Sequence, residues 1–194
     1  MSNRARKWLC KILICHGRFL VHVAVCAMSK RRQARERAMQ FLFQFDLNPA
    51  DDLERALGEF WHTCYTEAEQ TTGRSTKQTK QSRTDESTAD EAELRMFAES
   101  LIRGTVAHMA EIDALIKKHA KNWELHRIAT VDRNILRLAI YEMLYREDIP
   151  PVVSINEAIE IAKKYSTEDS GKFVNGILDK IKAELMRPAR TPLK

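Results

Sequence analysis

Residues 135–181 read ILRLAIYEMLYREDIPPVVSINEAIEIAKKYSTEDSGKFVNGILDKI, and this stretch decides the fold class. Ile135, Leu136, Leu138, Ala139, Ile140, Met143 and Leu144 crowd one segment so densely that a helix through them has little polar surface left, which predicts a central position. Thr130 reads as its N-cap. Pro150 and Pro151 interrupt the chain, and Ser154 followed by Glu157 has the spacing of a capping box that opens a helix reaching about Tyr165. A last helix, about 168–186, carries Phe173, Val174, Ile177, Leu178 and Ile181 at helical intervals. Nowhere does a strand-like alternation persist.

Upstream the same period continues. Ala34, Ala38, Met39, Leu42, Phe43 and Phe45 mark a helix over 30–45 that Asn48-Pro49 ends, and Leu53, Leu57, Phe60, Trp61 and Cys64 mark another over about 50–65. Leu94, Phe97, Ala98, Leu101, Ile102, Met109, Ile112, Leu115 and Ile116 predict one long helix over 90–120, in which Gly104 marks a close backbone approach or a bend. Between them, 66–90 has only Ala68 and Ala89 as apolar side chains. Such a segment cannot offset the entropy of ordering its backbone and reads as a flexible polar insertion. The expectation is an all-α chain of six to seven helices.

Composition agrees: 44% hydrophobic and 30% charged residues with 6 Gly and 5 Pro suit a helical protein better than a sandwich or barrel. A net charge of +5 invites a nucleic-acid reading. Its location withdraws that argument, because Arg4, Arg6, Lys7, Lys11 and Arg18 lie in an opening segment without any acid, and the other 167 residues hold 27 basic and 27 acidic side chains. Binding of RNA must therefore rest on a local patch.

Residues 1–27 imitate a secretory signal or membrane anchor poorly. His16, Gly17, Arg18 and His22 interrupt the apolar run, and an arginine costs about 2.5–3.5 kcal/mol at a bilayer centre. Met28 opens the first regular helix, so 1–27 reads as an upstream start-site extension, disordered or dispensable, and 28–194 as the working unit. Cys10, Cys15 and Cys26 lie in the extension and Cys64 stands alone in the body, a pattern that supports neither a disulfide framework nor a zinc site and fits a reducing cytoplasm.

Two stretches resemble the NusB antitermination family: KRRQARERAMQFLFQ at 30–44, and the run 135–181 quoted above. The resemblance implies a fold of two roughly orthogonal three-helix bundles. It also implies binding to boxA RNA of ribosomal RNA leaders, with the ribosomal small-subunit protein NusE as partner, in an antitermination complex on RNA polymerase. The insertion at 66–90 is longer and more polar than the family's connection, and 1–27 has no family counterpart. Self-association as a homodimer is a further possibility for such a unit.

The candidate RNA residues fall in the same two stretches. Lys30, Arg31, Arg32, Arg35 and Arg37, offset only by Glu36, converge on a helix start. There they oppose the macrodipole, at a cost of a few tenths to about 1 kcal/mol, which points to a use other than helix stability. Guanidinium groups bind phosphate bidentately and release counterions. In the second stretch Lys172 suits phosphate, Phe173 suits stacking on an unpaired base, and Asn175 suits a base edge. Phe173 equally fits a core position, and Asp169 or Ser170 a helix cap. Asp169 repels phosphate and is assigned to the protein partner, as is Phe43, which stands where the family usually has tyrosine and also fits the helix core.

No nucleophile–base pair, metal cluster or phosphate-cradling glycine loop is present, so the reading is non-enzymatic and without cofactor or metal. Asn156 and Glu157 are explained by capping. Two rivals remain: a helical protein-interaction module, and a stand-alone relative of the RNA-binding domain of rRNA methyltransferases. The RNA reading predicts that replacing Arg31, Arg32 and Arg35 together by Ala weakens RNA binding and flattens its salt dependence at unchanged helical content, measurable by titration and circular dichroism.

Overall fold

A computed structural model describes the backbone over residues 30–72, 84–120 and 125–185, and side chains over 30–66, 89–120, 125–167 and 169–185. The expected extension at 1–27 and the middle of the polar insertion, 73–83, lie outside the described residues. Seven α-helices and one short 3-10 helix, with no strand, make up the described residues: α1 (Lys30–Leu47), α2 (Leu53–Thr72), α3 (Thr84–Ala107), α4 (Met109–His119), the 3-10 turn Leu125–Arg127, α5 (Thr130–Tyr145), α6 (Pro151–Tyr165) and α7 (Glu168–Glu184). The all-α class expected from the periodicity is the one observed.

Helix α5 is central. It packs against α1, α3, α4, α6 and α7, so nearly every face of it is covered. Ile135, Leu136, Leu138, Ala139, Ile140 and Met143 are all buried there, in keeping with the rule that a helix apolar all round belongs inside. α1, α2 and α3 assemble on one side of α5. On the other side α6 and α7 form the tightest helix pair, with α4 lying across α5 and α7.

Several helix boundaries depart from the sequence expectation for identifiable reasons. Thr130 is already helical, and the cap is Ala129, whose φ of −52° and ψ of 135° are extended and whose side chain makes no cap bond. The proposed Ser154–Glu157 capping box is absent. α6 begins earlier, at Pro151, because a proline at the first helical position has its φ preset and lacks the N–H that would go unpaired there. Ser154 is consequently a buried mid-helix residue, and Glu157 turns to α1 instead. The box occurs at α7: Thr167 Oγ1 accepts the Ser170 N–H at 3.2 Å, and Ser170 Oγ accepts the Thr167 N–H at 3.4 Å. Helices also extend into the polar insertion from both ends, to Thr72 and from Thr84.

The long helix expected at 90–120 is two helices, parted at His108 with φ −106° and ψ 14°. Four residues earlier, Gly104 faces the Tyr141 ring of α5, and a Cβ at that position would fall inside the ring. The close approach read from the sequence is real, but a tyrosine side chain makes it rather than a backbone.

Charge is also built into the interior. Arg137 of α5, 4% exposed, holds Asp113 of α4 with two bonds of 2.7 Å and reaches Asp46 of α1 at 3.1 Å. Burial works to raise the Asp46 carboxyl, but hydrogen bonds and charge from Arg133 and Arg137 outweigh it and hold the group below its ordinary range. A depressed carboxyl contributes stability above its unfolded pKa, and that contribution disappears as pH falls through its folded value. Melting followed from pH 6 to pH 2 should therefore show an acid loss of stability in the wild type that is shallower in Asp46→Asn. In the apolar core, Ile140→Ala should lower unfolding free energy by about 2–5 kcal/mol in urea titrations, whereas Leu47→Ala, at an exposed site, should change it by under about 0.5 kcal/mol.

Candidate nucleic-acid interface

The basic start of α1 is not a set of free cations. Lys30 pairs with Asp90 of α3 and lies 3.6 Å from Glu93. Arg32 grips Glu157 of α6 through two bonds of 2.7 Å, and that guanidinium holds the Glu157 carboxyl below its ordinary range. Arg37 is half-buried and reaches Gln40 at 3.3 Å and the Cys64 sulfur at 3.6 Å. Arg31 is exposed, with its guanidinium 5.4 Å from the centre of the Phe97 ring and no hydrogen-bonded carboxylate among the described residues.

Arg35 belongs to the interior. Its side chain is 5% exposed and donates at 2.7 Å to Glu142 of α5, which is 1% exposed. A surface role for Arg35, expected from its place in the motif, gives way to a structural one. The helical period that puts Arg31 and Arg32 at the rim turns Arg35 towards α5 beside Ala34 and Ala38. Removing one member of a buried pair leaves the other charge unpaired at a cost of about 3–5 kcal/mol.

The second candidate set lies at the opposite end of α1. Asp46, near the end of α1, bonds Arg133 and Asn134 at the start of α5, and Ser170, near the start of α7, donates to the adjacent Asp132 at 2.9 Å. The end of α1 and the beginning of α7 thus meet at the same end of α5. Lys172 and Asp169 are exposed, 3.3 Å apart on one turn, while Phe173 and Asn175 are half-buried and Phe173 packs against the edge of the core. Of the α1 phenylalanines, Phe41 is buried and Phe45 packs on the core, but Phe43 is half-exposed and outside that cluster among the described residues. Its rise along α1 from Lys30 is about 20 Å at 1.5 Å per residue.

Between these ends runs a seam of polar groups that the sequence reading missed. Glu36, 8% exposed, accepts two bonds from Lys164 of α6, at 2.9 and 2.7 Å, and one from Tyr165 at 2.8 Å. Gln40 donates to the same phenol at 3.4 Å. Burial first, and then the hydrogen bond to Glu36, push the Tyr165 hydroxyl well above its ordinary pKa, so it remains a neutral donor. The available signal was the Lys163-Lys164 pair in the last turn of α6, where cations complement the helix dipole. Arg32, Lys164 and Gln40 therefore connect the two ends as one edge along α1 and α6.

The NusB family model matches residues 32–183, an interval that runs from Arg32 of α1 through Lys172 and Asn175 of α7. The chain belongs to the NusB family. The transcription antitermination protein NusB of Thermodesulfovibrio yellowstonii is 41% identical over 162 residues, covering 80% of this chain and 93% of its own. A solved structure of T. maritima NusB is 40% identical, with a TM-score of 0.59 over 79% of this chain and 91% of that one. A crystal structure of the antitermination factors NusB and NusE in complex with dsRNA aligns at 27% identity and a TM-score of 0.57, covering 81% of this chain and 98% of the other. Among the described residues of this NusB-family chain, no cluster of His, Cys, Asp or Glu has the makings of a metal site, and no helix is long and apolar enough to cross a membrane.

The burial pattern revises the triple-substitution expectation. Arg35→Ala should destabilise the fold by about 3–5 kcal/mol in chemical denaturation, whereas Arg31→Ala should stay within about 0.5 kcal/mol of the wild type.

Proposed function

We propose that this chain is a transcription antitermination factor that binds boxA-type RNA of ribosomal RNA leader transcripts together with NusE. The observation that carries the reading is the alignment, over 81% of the chain, with a NusB captured with NusE and RNA. Its own edge from Arg32 to Lys172, with Arg31 beside its start, supplies chemistry suited to that ligand. Arg31, Arg32, Lys164 and Lys172 offer cations for phosphates, while Phe173 offers a ring to an unpaired base and Phe43 faces the protein partner. Base–aromatic stacking of this kind contributes about 1–3 kcal/mol per base.

Asn175 serves a base edge, and Asp169 faces the protein partner because a carboxylate 90% exposed on an RNA surface would repel phosphate. Arg35 supports the edge from within. Lys30 and Arg32 are shared with carboxylates in the free chain, so RNA must compete with Asp90 and Glu157 for them. That competition favours binding with a second protein over binding alone. With NusE bound, the chain acts in the cytoplasm within the antitermination complex on RNA polymerase; a homodimer is the alternative association for the free chain.

The test is a titration of boxA-type RNA at two salt concentrations, with and without NusE, alongside sedimentation of the free chain. Salt-sensitive binding that NusE strengthens is expected, and no binding under any of these conditions would overturn the reading. Lys172→Gln, at a site 80% exposed, should leave melting unchanged and weaken RNA binding, reducing the slope of log affinity against log salt by about 0.7 for the loss of one single-strand phosphate contact.

A further inference from the structure

Three arginines from two helices converge on one phenylalanine. The guanidinium carbons of Arg31 and Arg35 in α1 and of Arg146 at the end of α5 lie 5.4, 5.6 and 5.3 Å from the centre of the Phe97 ring of α3. Only two carboxylates are hydrogen-bonded to this group among the described residues. Glu142 neutralises Arg35, and Asp148 accepts from Arg146 Nε at 2.9 Å and from Nη2 at 3.1 Å. One positive charge is left over at the surface.

The two outer members differ in how they are held. Arg146 is clamped: besides Asp148, its Nη1 donates to Ser100 Oγ at 2.9 Å, so three of its five N–H groups are used and two remain, on a side chain 23% exposed. As the residue that ends α5, it also lies where a cation complements the helix dipole. That explains Arg146 alone. It does not place exposed Arg31 at the same ring, where the Asp148 carboxylate acts on Arg31 by charge alone, without a hydrogen bond. The ring and the Asp148 carboxylate together offset the repulsion between the two arginines. Sharing the ring keeps the two guanidinium groups within about 11 Å of each other, near enough to contact neighbouring phosphates of one strand.

We propose that Arg31 and Arg146 form one phosphate-binding point on the α3 side of α1, with Arg146 a further RNA-contacting residue and Phe97 the positioning residue that holds the pair. The inference rests on the RNA-binding reading above and extends it. Arg32 and Lys164 guide RNA along α6, whereas Arg31 and Arg146 take the strand around the start of α1 towards α3. RNA longer than the α1–α6 edge would then be held at both sides of the α1 N-terminus.

The experiment is a salt titration of a labelled single-stranded boxA-type RNA with flanking nucleotides, using the full chain with NusE. Arg146→Gln should weaken binding several-fold and lower the salt slope by about 0.7, while Arg146→Lys keeps the slope. Phe97→Leu preserves apolar bulk but removes the ring, so it should weaken binding in the wild type and weaken it less in Arg31→Gln, where Arg146 alone is left for the ring to hold. Helical content and melting check that each variant is folded, and if Arg146→Gln is not, the Phe97/Arg31 cycle decides. A wild-type slope in folded Arg146→Gln, or additive effects of Phe97→Leu and Arg31→Gln, would overturn this inference and leave the RNA reading intact. Failure of the wild type to bind RNA would overturn both.

Discussion

Enclosure of α5 by five other helices is the constraint on which the remaining structure depends. A helix covered on nearly every side must have each of its polar side chains matched within the protein, because an unpaired buried charge costs several kcal/mol. Arg137 and Glu142, four and one per cent exposed, meet this demand from the middle and the last turns of α5. Arg137 binds Asp113 of α4 and Asp46 of α1, and Glu142 binds Arg35 of α1. Since buried ion pairs add little net stability compared with apolar packing, their consequence is geometric: α1 can lie along α5 in one register only if both contacts are satisfied.

That register determines the surface. With Arg35 directed inward, the neighbouring positions of α1 fall on its two flanks, Arg32 beside Glu157 of α6 and Arg31 over Phe97 of α3. The same alignment brings the end of α1 next to the start of α7, so Phe43 and the Lys172–Asn175 turn occupy one end of the molecule and the basic motif the other. Glu36, Lys164 and Tyr165 complete the path between them.

The helical class, the position of α5 at the centre and the family resemblance of the two stretches were legible in the sequence, because apolar period and motif spacing are local properties. Cap chemistry was less so. Ser154-x-x-Glu157 and Thr167-x-x-Ser170 both offer a hydroxyl three residues from a polar partner, yet only the second caps a helix, since Pro151 had already started α6 and placed Ser154 in the interior. Gly104 was recognisable as a point of close approach, but nothing near it in the chain identifies Tyr141 as the group that approaches.

What the sequence determined by itself, then, is a neutral helical body with a compact run of arginines after Met28 and an exposed Lys172. Which of those arginines meet solvent was decided by tertiary structure alone. Arg35 finds its carboxylate 107 residues away and Arg32 finds its own 125 residues away, separations at which local pattern carries no information about pairing. Burial multiplies the strength of such a pair and exposure screens it, so identical residue types a few positions apart become a core support and a surface cation.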